Sequence, residues 1–266
     1  KEADHMKKYL SILMLCVLVL STACSQQPKT SELPVSTETP SQEILESTPV
    51  KTPEPAVVVF TDAALEDLVR KAMNKPEGAI MLSEAEAVTT LDLQMDGSDY
   101  SLPRITDVSD LKQFPNLTGL TLNWALFDSD GSEDFDLSPL ADLTKLECLY
   151  VCCANISDIS ALSGMTNMKD LWIWGNHNIT DISALAGMTQ MESLWIKDNQ
   201  ITDISALANM KNLVYLYMED NQVTDLSPLA GLTKLTNILL SGNPATDYSP
   251  LKDVYSNLEE KDFEIN

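Results

Sequence analysis

The sequence predicts an α/β solenoid, in which short parallel strands line a concave face, 3₁₀ or short helical turns line the convex face, and helices cap the N-terminal end. Three observations carry that prediction. The first is a recurring segment. Met168-x-x-Leu171-x-Ile173-x-x-Asn176 returns as Met191-x-x-Leu194-x-Ile196-x-x-Asn199, as Leu213-x-x-Leu216-x-Met218-x-x-Asn221, and as Leu235-x-x-Ile238-x-Leu240-x-x-Asn243. This is the L-x-x-L-x-L-x-x-N signature of a leucine-rich repeat. The second is a fixed period: an aspartate follows each unit at Asp136, Asp158, Asp181, Asp203, Asp225 and Asp247, every 22 or 23 residues. Asp107 stands 29 residues before Asp136, so one repeat carries a seven-residue insertion. The third is an amphipathic segment just ahead of the repeats, placed where a solenoid needs a cap.

Each repeated residue has a physical role. The strand leucines alternate with period two and point inward, and stacked neighbours bury what one unit cannot. The turn asparagine has two donors and an acceptor with which to satisfy backbone groups. The aspartate is expected to N-cap a short helical turn. Three of those turns read Ser-Pro-Leu, at Ser138, Ser227 and Ser249, and proline suits a first turn because no helical N–H is lost. Degenerate strands at Val88-x-x-Leu91-x-Leu93 and Leu117-x-x-Leu120-x-Leu122 bring the expected ladder to about seven strands.

In the cap, Leu65, Leu68, Val69, Ala72 and Met73 follow a helical spacing. Thr61 is the expected N-cap, with Phe60 and Leu65 as a hydrophobic staple. Lys75-Pro76-Glu77-Gly78 ends that helix, and Ser83-x-x-Glu86 reads as a capping box opening a second one. Leu251, Val254, Tyr255 and Leu258 suit a closing helix at the other end. The expected division is therefore cap and first degenerate repeat over 57–100, and repeats with a C-terminal cap over 101–266.

The preceding chain is of another kind. Met6-Lys7-Lys8, the apolar run Tyr9–Leu20 and Ser21-Thr22-Ala23-Cys24 read as a secretory signal over 1–24, starting at Met6. The small residues before Cys24 resemble a bacterial lipobox, which implies that Cys24 becomes the lipid-modified first residue, tethering the protein extracytoplasmically to the membrane. Residues 25–56 are rich in Ser, Thr, Pro and Glu and poor in apolar side chains, a composition expected of a disordered linker.

Charge narrows the partners. The chain has 17 basic and 40 acidic residues, a net of −23. From residue 57 onward the counts are 12 and 33, a net of −21, so the acidity belongs to the repeats. Such a surface disfavours nucleic acid and anionic lipid. It suits basic partners, or simply solubility.

The unit N-x-I-T-D-I-S-x-L-x-x-L-x-x-L-x-x-L-x-L, over roughly 57–266, resembles the repeat of bacterial internalin-like surface proteins. That resemblance implies the solenoid fold and recognition of a protein or peptide. Ala125 and Ala154 depart from it, standing where the turn asparagine is expected.

One column of the repeat singles out a candidate site. Tyr150, Trp172, Trp195 and Tyr217 occupy the same outward strand position, so they should form one stripe of exposed rings on the concave face. A second outward column holds Trp174, Lys197 and Glu219, and Tyr215 joins from one side. Outward Trp and Tyr serve as interface anchors; the same rings could instead stack across strands as structure. The expected function is non-catalytic recognition of an extracellular protein or peptide through these eight residues. A carbohydrate is the alternative ligand and an enzyme the distant one, since Lys197 and Glu219 form no catalytic cluster by spacing. No cofactor is expected. The insertion carries Asp128, Asp130, Asp134 and Asp136, oxygen ligands suited to Ca²⁺ in type, but its glycine comes too early for an EF-hand and no glutamate falls at the twelfth position, so an acidic solvated loop is the expectation. Cys148 and Cys152 lie too far apart along a strand for a disulfide. A Cys153–His177 pair would need something to orient the histidine.

Overall fold

The structure is a computed structural model that describes residues 56–95, 103–126 and 134–265. The signal over 1–24 with Met6 and Cys24, the linker as far as residue 55, and Asp128 and Asp130 lie outside the described residues.

Eight parallel strands form one ladder in chain order: β1 (Thr90–Asp92), β2 (Gly119–Thr121), β3 (Cys148–Tyr150), β4 (Asp170–Trp172), β5 (Ser193–Trp195), β6 (Tyr215–Tyr217), β7 (Asn237–Leu239) and β8 (Glu260–Lys261). The register follows the repeat, with Leu149, Leu171, Leu194, Leu216 and Ile238 aligned as one column. All five are 0 % exposed, and burying such a side chain contributes roughly 2 kcal/mol. The strands are only two or three residues long, so this inward column and its neighbour, Val151 to Leu240, are what fix the register. The expected seven strands become eight because Leu258-x-x-Lys261-x-Phe263 continues the pattern with a lysine where a strand leucine should be.

Leaving β2 to β7, the chain turns sharply through a residue in a left-handed conformation. Trp124, Cys153, Gly175, Asp198, Asp220 and Gly242 stand at this position, with φ from 52° to 77°. The next residue is the repeat asparagine. Asn176, Asn221 and Asn243 each donate to carbonyls both in their own repeat and in the preceding repeat, and accept a backbone N–H of that preceding repeat. The asparagines thus stitch neighbouring coils together. Where Ala125 stands instead, Asn123 accepts the Cys152 N–H of the following repeat at 3.1 Å, a different bond that also joins neighbouring coils.

The convex face is a row of 3₁₀ turns beginning at Ser109, Ser138, Ser160, Ser183, Ser205, Ser227 and Ser249. The aspartates precede them, but not as N-caps. Each accepts the backbone N–H of the serine two residues on, at 2.7–2.9 Å, while the cap position between them is an apolar residue that points into the core. The motif is an Asx-turn; its chemistry was legible and its register was off by one.

The caps required three corrections. The first helix, α1 (Ala63–Ala72), is capped by Asp62, not Thr61. Asp62 Oδ1 accepts the Leu65 N–H at 2.8 Å, and Oδ2 accepts from Thr106 N, Thr106 Oγ and Asp107 N. Thr61 instead donates N–H and hydroxyl to Asp110. Two buried aspartates thus bind the cap to the first repeats. The second helix, α2 (Leu82–Ala87), starts one residue before Ser83, and it is Glu84, not Glu86, that reaches back to the Met81 N–H at 2.7 Å. The C-terminal end closes with two 3₁₀ turns and β8 rather than an α-helix. There Asp262 accepts the Leu240 and Ser241 N–H groups, each at 2.8 Å, doing for the last coil what another coil would do.

Candidate binding face

Strand alternation turns positions 170, 172 and 174, and their equivalents, toward the concave side. The predicted aromatic column is present and in register: Tyr150, Trp172, Trp195 and Tyr217 pair strand to strand. The rings contact one another in sequence, with centroids 4.7, 4.6 and 4.2 Å apart and interplanar angles of 45°, 28° and 38°. Each ring therefore spends much of its face on its neighbours.

That contact corrects the expectation of a uniformly exposed stripe. Trp172 sits between two rings and is only 3 % exposed. Tyr150, Trp195 and Tyr217 are half-buried, and Tyr215, outside the ladder, is 38 % exposed. Lys197 is likewise buried, its Nζ 5.0 Å from the centroid of the half-buried Trp174. Cation–π contact and a desolvated stem explain how a lysine is accommodated there.

The polar partners of the ladder are acidic. Tyr150 donates its hydroxyl to Asp170 at 2.7 Å, and Trp195 donates its indole N–H to Ser193 at 3.2 Å. Burial raises the Asp170 pKa, against the opposing effects of Tyr150, Ser193 and Trp172. Ser193 and the Trp172 indole lie close enough to act on the charge without reaching hydrogen-bonding geometry, so Asp170 Oδ1 and Trp172 Nε1 remain unpaired. Glu219 is pushed up to about 7, chiefly by burial and further by Asp262 and Asp198, with Lys197 opposing. At the far end, Tyr217 and Asn237 both donate to Glu260 Oε2, each at 2.9 Å. Sequence reasoning missed Glu260, Asn237 and Asp170. Glu260 was hidden because the Leu258-x-x-Lys261 strand was not counted, whereas Asn237, like Asp170, stands in the outward position before a strand residue that was counted, and both were readable there.

The remaining candidates have structural uses. Asp136 binds the backbone N–H and hydroxyl of Ser138, and Asp134 accepts the Ser157 hydroxyl. With Asp158 they line a shallow depression on the convex side. Among the described residues no group of three or more His, Cys, Asp or Glu is placed to hold a metal ion. Cys148, Cys152 and Cys153 are thiols. Burial pushes Cys153 up to about 12, with Asp198 adding to it, and raises Cys152 well above the ordinary thiol value. The charges that act on Cys153 are those of Asp198 and Lys197.

The ladder, the turns and the repeat define a leucine-rich-repeat protein. Residues 144–187, 166–209, 189–231 and 211–253 each match the family described as leucine rich repeats (2 copies). No curated protein sequence matches the chain. Among solved structures it is similar to an internalin (inlF) from Listeria monocytogenes, at 32 % identity and TM-score 0.67, covering 80 % of this chain and 59 % of that one. It is also similar to an internalin C2 from the same species, at 28 % identity and TM-score 0.62, covering 79 % of this chain and 98 % of that one. A leucine-rich-repeat protein of Leptospira interrogans, at 17 % identity and TM-score 0.50 over 69 % of this chain and 51 % of that one, shares the fold. The chain thus has the leucine-rich-repeat fold and is similar in structure to these internalins, and it spans somewhat over half the length of the first of them. Since 327 solved chains match, the fold by itself does not single out a ligand.

Proposed function

We propose that this protein is a non-catalytic binding module that recognises a protein or peptide with the concave face of its repeats. The observation that carries the reading is the in-register ladder of Tyr150, Trp172, Trp195 and Tyr217, whose half-buried members, together with the more exposed Tyr215, present aromatic surface on the concave face. The half-buried rings offer anchoring area held rigid by mutual stacking, so little side-chain entropy is lost on binding. A protein or peptide is preferred over a sugar because the ladder's ring faces are covered by each other, and sugar stacking needs an open face. Lipidation at Cys24 and the linker over 25–56 would tether the face outside the cell membrane and hold it away from the lipid.

The test is tryptophan fluorescence of the full chain titrated with peptides, extracellular proteins and oligosaccharides. Trp195→Ala and Tyr215→Ala are compared after both are shown folded by circular dichroism. A protein or peptide ligand whose affinity falls at least about tenfold in each variant, a loss of some 1.4 kcal/mol, supports the reading. Equal binding by variants and parent would move the site off the concave face. A response confined to oligosaccharides would replace the protein reading with the glycan one.

A further inference from the structure

Resting on that reading, we propose that the β6–β8 end of the concave face binds a basic segment of its partner. A lysine or arginine side chain would lie across Tyr215 and pair with Glu260. Charge supports this first. The three outward columns of the ladder hold Asp92, Asp170, Glu219 and Glu260, and among their described residues Lys197 is the single basic side chain. Lys197 is committed to Trp174, and Lys261, beside Glu260, has its Nζ 4.9 Å from the centroid of Tyr255. Glu260 forms no ion pair among the described residues. The surface is thus acidic where it is also aromatic, and complementary charge steers a cationic partner to it.

Geometry selects the end of the face. Tyr215 stacks on no other ring among the described residues, unlike the ladder; Trp174 is also unstacked but lies under Lys197, and Tyr215 is the most exposed of the concave rings. Its π face is open to a cation, as the faces within the ladder are not. Two strands away, Glu260 is exposed but held in place, since Tyr217 and Asn237 both donate to its Oε2. Oε1 keeps its lone pairs for a ligand. An oriented carboxylate on the same column as an open ring, two strands or roughly 10 Å along, suits a long cationic side chain that crosses the ring to reach it, and pre-orientation lowers the entropy lost on pairing. The protein already contains one such arrangement. The Lys197 ammonium lies over Trp174 with Glu219 and Asp198 acting on it. The same chemistry, open to solvent, recurs two strands along.

The experiment titrates the full chain with hexalysine, hexa-arginine, hexaglutamate, a neutral Gly-Ser peptide and a set of oligosaccharides, at low and at physiological ionic strength. Tryptophan fluorescence is the readout. The variants are Glu260→Gln, Tyr215→Ala and, as a remote control with the same charge change, Glu77→Gln. The expected result is saturable binding of the cationic peptides that weakens with salt. Glu260→Gln and Tyr215→Ala should each reduce affinity about fivefold, and Glu77→Gln less than twofold. Equal losses in Glu260→Gln and Glu77→Gln would overturn the proposal by reducing the effect to overall charge. Silence toward cationic peptides, with a neutral or acidic peptide bound and lost in Trp195→Ala, would overturn it while leaving the concave-face reading intact. No response to any protein, peptide or glycan probe would overturn both.

Discussion

At the residue scale, the aromatic ladder divides into rings that hold the face together and rings that a partner can reach. Trp172, 3 % exposed and stacked on both sides, belongs to the first group. Trp172→Ala is expected to lower stability by about 3–5 kcal/mol, because it empties a filled site and unstacks two rings. Tyr215→Ala, at a ring 38 % exposed with no stacking partner among the described residues, should cost under about 1 kcal/mol. Urea denaturation of the two variants measures the contrast, and similar losses would mean that the ladder is not the structural unit described. The thiols give a second residue-scale prediction. Thiolate is the reactive form, and Cys153 is pushed up to about 12 with Cys152 also raised, both by burial. In the folded protein at pH 8, Cys152 and Cys153 should therefore resist iodoacetamide, and denaturant should release them; mass spectrometry of labelled peptides reads this directly. Fast labelling of Cys153 in the native state would revive a reactive role for it.

At the element scale, the N-terminal cap is held by two carboxylates, of which Asp62 receives the more bonds. Asp62 receives four hydrogen bonds, from α1 and from the chain entering the next repeat. Asp62→Ala leaves buried donors unpaired in two elements at once and should destabilise the protein by about 3 kcal/mol. Hydrogen exchange should show the loss first in α1 and β1, because each coil contacts only its neighbours. Uniform loss across all eight strands would argue that the solenoid melts as one unit. This cap also shows how far sequence carries. The leucine, asparagine and aspartate columns were legible because a period repeats its own evidence, and a misread copy is outvoted by the others. The cap has no second copy. Thr61 and Asp62 are adjacent and both good N-caps, and only the position of Thr106 and Asp107 in space decides between them. The same limit applied to the binding face. Its columns could be read from the repeat, but the burial of Trp172 and Lys197 depends on how neighbouring rings tilt, and Glu260 was concealed by a lysine in a leucine position. The left-handed column before each asparagine was readable at Gly175 and Gly242 but hidden at Trp124 and Cys153.

At the scale of the whole molecule, the acidic composition makes stability a function of pH with two opposing limbs. The Asx-turn carboxylates of Asp158, Asp181, Asp225 and Asp247 are lowered by bonds from their serines. Asp62 is lowered as well: burial alone would raise it, and its hydrogen bonds from Leu65, Thr106 and Asp107 outweigh that. A depressed carboxylate contributes stability that is present above its unfolded pKa of 3.8 and is lost as pH falls through the folded value. These groups set an acid limb below about pH 4. Glu219 works in the other direction. Its folded pKa, about 7, lies above the unfolded 4.5, so its contribution is complete below 4.5 and is lost as pH rises toward 7. Asp170 and Asp198, also raised by burial, add to that limb. Thermal stability should therefore peak near pH 5 and decline toward pH 8. Growing net negative charge toward pH 8 would produce a similar decline through self-repulsion alone, so the shape of the curve does not identify the cause. Glu219→Gln does. It removes one charge of 40 acidic residues, too few to alter repulsion much, yet it should stabilise the protein at pH 8 by up to about 3 kcal/mol and change little at pH 4.5. Scanning calorimetry of parent and variant across this range separates the two. If the variant keeps the full decline above pH 5, the basic limb does not come from the carboxylate buried beside Lys197.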